Sequence, residues 1–148
     1  MNISFYIPEA WLIYHTMEYF LHRFSHNPKS GYIYKIHKKH HTKHYPITDL
    51  MSKEYKTDYT SGISDGLLAH GPSTILSICS FYPFMDTNVF IKLSSCILLI
   101  AYISDYFHIH IHTQDSWLDK HEWFIKMREI HFNHHKNTSK NFNIIDMN

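Results

Sequence analysis

"NVFIKLSSCILLIAYISDYFHIHIH", residues 88–112, runs a long apolar stretch into an end studded with histidines. Residues 88–107 carry only Lys92 and Asp105 as charges. They are about as long as the roughly 20 residues needed to cross a hydrocarbon layer. Two further stretches approach this pattern. Residues 67–85 (LLAHGPSTILSICSFYPFM) are apolar, and residues 3–21 (ISFYIPEAWLIYHTMEYFL) are broken only by Glu9, His15 and Glu18. The mean hydropathy of the chain is negative, −0.32, but that average hides a segregated sequence. Hydropathy of this strength also fits the buried helices of a soluble protein.

Charge placement favours a membrane. Lysines and arginines gather at 23–56 (Arg23, Lys29, Lys35, Lys38, Lys39, Lys43, Lys53, Lys56) and at 120–140 (Lys120, Lys126, Arg128, Lys136, Lys140). Only Lys92 lies elsewhere, near the turn predicted within FYPFMDTN, where Pro83, Asp86 and Asn88 supply breaker chemistry. If 67–85 crosses and 88–107 returns, both basic regions share one face, and the positive-inside rule makes that face cytoplasmic. The first stretch then enters from the opposite side. Gly62, Gly66, Gly71 and Pro72 punctuate the start of the second stretch. Residues 116–130 (SWLDKHEWFIKMREI) suit a helix on the membrane interface or an ordinary surface helix. The expected fold is all-α: an integral membrane bundle of about three spans with a cytosolic helical cap, in one domain of 148 residues.

Composition removes several function classes. The formal charge of +1 gives no field that would attract nucleic acid. The two cysteines, Cys79 and Cys96, sit inside apolar runs without CxxC spacing, which leaves disulfide scaffolds, thiolate zinc sites and iron–sulfur clusters unsupported. No cleavable signal is evident, since a basic start and an A-x-A site are lacking. There is no internal repeat or low-complexity tract. Histidine is the outlier, at 15 residues.

The histidines fall in register with the apolar stretches. His22 and His26 follow the first; His37, His40 and His41 lie in the basic loop; His108 and His112 follow the third; His131, His134 and His135 come last. All ten lie on one side of the expected membrane, and the clusters read HxxxH, HxxHH, HxxxH and HxxHH. Such spacing projects imidazoles from one helix face, so each cluster is expected to aim two or three at one point. Ten imidazoles exceed the four ligands of one tetrahedral zinc and suit two metals. The ligands alone fit iron, zinc, copper or nickel. His15, His70, His110 and His121 fit non-ligand roles, whereas His44, three residues beyond His41, suits a place behind the ligands.

With these boxes the chain resembles the fatty acid hydroxylase/sterol desaturase superfamily over residues 9–145, most closely its fatty acid 2-hydroxylase branch. The branch's EYxxHRFxxH element is matched by Glu18 to His26, and its HxxHHxxxP element by His37 to His41 with Pro46 one place late. DxxHxxxH is matched by Asp105 to His112. The closing HxxHH and aromatic–glycine step are matched by His131 to His135 and by Asn141-Phe142-Asn143-Ile144. The resemblance implies that the ten histidines hold two metal ions, iron in the working protein and zinc in a purified form. It further implies O₂ activation and attack on an unactivated C–H bond of a fatty-acyl or sterol chain, with the boxes cytoplasmic, at the endoplasmic reticulum in a eukaryote. Asp105 would accept a ligand's ring N–H; Glu18 would do the same or serve in capping or snorkelling.

The sequence departs from the branch in places. Three residues separate His22 and His26 where the branch has four, the span usual before the first is missing, and Asn143 replaces a glycine. A minimal or truncated form is expected. The sequence shows no haem-binding pattern, GxGxxG or cysteine cluster, so electrons must come from an external donor such as a cytochrome b5-like protein and its reductase. The alternatives are a desaturase of the same superfamily and a non-catalytic, histidine-rich metal-binding membrane protein. His37 comes eleven residues after His26, a shorter step than acyl desaturases usually place between their first boxes.

Overall fold

Pro8 stands at the start of the first long helix, where its missing N–H leaves no bond unmade. The computed structural model describes residues 3–59 and 64–143; Gly62 and Ile144 lie outside them. A 3₁₀ turn, Ile3–Tyr6, leads into α1, Ile7–Ser25. The Asn27 side chain accepts from Lys29 N–H and opens the turn Pro28–Ser30. Gly31, at φ +60°, then reverses the chain into α2, Tyr32–Lys39. This left-handed conformation favours glycine.

α2 runs straight into a π-helical turn, His40–His44. Helix α3, Asp65–Phe81, begins where the Ser64 hydroxyl accepts Leu67 N–H, and it carries Pro72 in its interior. After the turn Tyr82–Phe84, Asp86 caps α4, Thr87–Ile111, by accepting from Asn88 and Val89 N–H. The turn Trp117–Lys120 and α5, Glu122–Lys136, complete the order. Among the described residues there is no strand. An isolated bridge between Ser52 and Thr113 ties the central loop to the end of α4.

The chain is thus all-helical, and α4 is the one described helix long and apolar enough to span a membrane. Most of its apolar length faces outward rather than into the protein. The stretch expected at 88–107 runs further, to Ile111, so His108 lies on the helix itself. The helix expected at 116–130 is divided at His121, whose extended backbone (φ −109°, ψ 121°) separates the turn from α5.

Two cores hold these helices. Tyr6, Ala10, Ile78, Leu93, Cys96, Ile97 and Ile100 pack α1, α3 and α4 together. Ile111, Leu118, Phe124 and Met127 join the end of α4 to α5. This second core sets the distance between the third and fourth histidine boxes. At Gly66 the start of α3 approaches α4 so closely that a Cβ would lie 3.3 Å from Asp105 Oδ1 and 3.5 Å from His108 Nδ1.

Candidate metal centre

The four boxes converge into two groups. His22, His26, His37, His41 and His134 bring one ring nitrogen each within 4.8 Å of one another, as do His40, His108, His112 and His131. His135 lies between the groups, its Nε2 3.2 Å from His131 Nε2 and its ring stacked 4.0 Å from His41.

Helix geometry explains the sorting and corrects the expectation of one target per cluster. At about 100° per residue, position i+4 lies about 40° from i, and i+3 about 60° to the other side. Each HxxxH pair therefore serves one group. Each HxxHH box divides: His37 and His41 join the first group while His40 joins the second, and His131 serves the second while His134 crosses to the first.

Hydrogen bonds fix the ring protons. Nδ1–H of His22 donates to Phe142 O (2.6 Å), that of His112 to Leu50 O (2.8 Å), that of His134 to Lys140 O (2.6 Å) and that of His135 to Tyr45 O (3.0 Å). A carbonyl only accepts, so in these neutral rings Nε2 carries a bare lone pair. Those lone pairs meet other ring nitrogens. His134 Nε2 is 3.0 Å from His26 Nε2, and both His112 and His135 aim at His131 Nε2, at 3.0 and 3.2 Å. One proton on His131 cannot satisfy both.

His37 Nε2 is likewise shared between His26 (2.9 Å) and His41 (3.0 Å). His22 Nε2 and both ring nitrogens of His40 are buried without hydrogen-bond partners. A cation resolves these contacts. Metal–nitrogen bonds of about 2.0–2.1 Å put neighbouring ligand atoms about 3 Å apart, so the donor sets fit metal ions.

The rings are also held neutral, as ligands must be. Burial, then the charge of neighbouring imidazoles, lowers His26 to about 4 and His135 to about 3. The same causes push His37, His40, His112 and His131 well below the usual imidazole range.

Behind the second group stands a carboxylate that the sequence reading missed. Asp65 Oδ2 lies 3.6 Å from His40 Nδ1 and accepts from His44 Nδ1 at 2.6 Å, and the other face of His44 meets Asp58 Oδ1 at 3.2 Å. Asp58 in turn pairs with Lys39 and Lys43 at the surface. His44 thus sits one residue behind the second group. Asp105, expected to face a ring, instead accepts the Ser64 hydroxyl. Glu18 accepts from His15 Nδ1 (2.9 Å) and the Ser104 hydroxyl (3.0 Å).

Tyr45, fully buried, stacks on His112 at 3.9 Å. His110 donates to or accepts from the Ser116 hydroxyl, at 2.9 Å, away from both groups. His70 does approach the first group, its ring 6.0 Å from His22.

A cavity of about 170 Å³ ends on these histidines. His22, His37, His40, His108 and His131 line one end, and Leu67, Ile75, Leu98 and Tyr102 line its wall between α3 and α4. Those four wall residues are also exposed on the outer surface, so the cavity opens sideways between the two helices.

An all-helical protein with two largely buried imidazole groups at the end of a mainly apolar cavity belongs to the class of histidine-box metalloproteins. Residues 7–147 match the fatty acid hydroxylase family, and the chain belongs to it, within the fatty acid hydroxylase/sterol desaturase superfamily. The family comprises membrane-associated, metal-dependent oxygenases that act on lipids. No curated protein and no solved structure matched the chain.

Proposed function

We propose that this chain is an O₂-dependent lipid hydroxylase of the 2-hydroxylase type, forming a single membrane domain whose histidine centre faces the cytoplasm. The observation that carries the reading is the set of opposed Nε2 lone pairs at the end of a cavity open toward lipid. His22, His26, His37, His41 and His134 would hold one metal ion, and His40, His108, His112, His131 and His135 the other. Iron is the reading for both. Bound there, two metal ions would supply activation of O₂, one oxygen atom entering a C–H bond and the other leaving as water with two protons and two electrons from the outside donor.

The protein's own contribution is positional. Backbone carbonyls hold four ring tautomers, and Asp65 opposes His40. The cavity wall admits a chain and keeps bulk water from the reacting carbon. α1, α3 and α4 are read as spans, because Leu12, Phe20, Ile75, Leu76 and Leu99 are exposed on their outer faces, an apolar surface that water would not tolerate. The basic cytoplasmic face around Lys38, Lys39 and Lys43 suits an acidic electron donor of the cytochrome b5 kind.

The test is lipid mass spectrometry of a host expressing the wild-type chain or His40→Ala beside a competent donor. The wild type is expected to add hydroxylated lipids that the variant lacks. New unsaturation without hydroxylation would favour a desaturase, and unchanged lipids with a metal-loaded protein would overturn both enzymatic readings.

A further inference from the structure

One turn from the histidine layer, the cavity wall changes character. Glu18, Ser104 and Asp105 line it there. Glu18 lies four residues before His22 and Asp105 three before His108, about 4.5–6 Å along the helix axes. Glu18 is pinned from behind, with Oε2 taking His15 Nδ1–H (2.9 Å) and Oε1 the Ser104 hydroxyl (3.0 Å). Asp105 is held by the Ser64 hydroxyl.

A carboxylate offers about four acceptor positions; His15, Ser104 and the Tyr14 hydroxyl on Glu18, and Ser64 and the Leu67 N–H on Asp105, take only part of them. Another polar atom on the cavity wall is unsatisfied: Nδ1 of His70 on α3 is shielded from solvent without a partner. The remaining wall is mainly apolar, with Tyr14, Thr74 and Tyr102 contributing hydroxyls among Leu21, Leu67, Ile75 and Leu98. Buried acceptors without donors cost free energy, and an alkyl chain offers none.

We infer that this strip is a subsite for a hydrogen-bond donor, a hydroxyl or an amide N–H, borne by the lipid close to the carbon that is oxidised. The donor seats on Glu18 and Asp105, and the chain leaves between α3 and α4. The carbons beside the histidine groups are then those within a few bonds of the donor, so oxidation falls near the polar end of the lipid and not at mid-chain. The regiochemical part rests on the hydroxylase reading; the binding part does not.

The test uses two probes related by methylation of the donor oxygen, hexadecan-1-ol and hexadecyl methyl ether. Their binding to the full-length, metal-free chain is measured by native mass spectrometry from detergent. The alcohol is expected to bind at least about tenfold more tightly, as a bond to a charged acceptor implies. Glu18→Gln with Asp105→Asn, which keeps the shapes, is expected to reduce that preference to about threefold or less.

Equal binding of the two probes, binding of neither, or an undiminished preference in the double variant overturns the subsite. In the expressing host, hydroxyl groups mapped to mid-chain positions also overturn it. A host without new oxygenated lipid, alongside intact alcohol selectivity, supports the subsite and removes the hydroxylase reading, so the two failures are distinguishable.

Discussion

Replacing Asp65 with asparagine would leave the shape behind the second histidine group intact and remove the charge that faces His40 and His44. Carboxylates in this position orient a ligand ring and raise its basicity, and losing one typically weakens metal binding by about 10–100-fold. Asp65→Asn is therefore expected to weaken metal binding by about that amount in a chelator competition, with metal lost from both groups together. Nothing in the sequence ties Asp65 to a histidine: it follows the capping serine of α3 and reads as an ordinary first-turn acid. The ten ligand candidates were legible because their spacing is local. Partners such as Asp65, the Phe142 carbonyl and stacked Tyr45 are set by folding, and spacing cannot express them.

Among the elements, α5 carries the most information in the fewest residues. His131 serves the second group and His134 the first, from one helix. Inserting one alanine between Asn133 and His134 turns the following residues by about 100°, so that His134 takes the place of His135, His135 leaves the centre, and the first group loses its only ring from α5. The expected result is weakened metal binding at the first group with the helical circular dichroism unchanged; unaltered binding of two ions would contradict the sorting. The helices themselves were largely readable from apolar runs and caps. The division at His121 was not, because Ser116 starts a separate turn by accepting Leu118 N–H, a local bond that competes with helix continuity. The sorting of HxxHH between two groups follows from residue angles alone, once two targets are known to exist.

For the molecule as a whole, packing so many imidazoles together makes stability depend on pH. His26 and His135 titrate at about 4 and about 3 in the folded chain, against about 6.5 when unfolded. Between those values the unfolded chain binds more protons, so metal-free stability is full above about pH 6.5 and falls as the pH drops toward 4. Melting of the metal-free protein is expected to shift downward from pH 7.5 to pH 5, and a metal that binds only the folded form should raise it. A flat profile would mean that the rings are not buried together. The all-helical architecture was visible in the apolar pattern, whereas the cavity between α3 and α4 arises only when distant stretches meet. Because α5 and the turn after α2 each hand rings to both groups, two ions bound there would occupy linked equilibria. Seating the first would order the helices that the second requires, so half-filled molecules should be scarce, and the centre would behave as one cooperative unit instead of two independent stores.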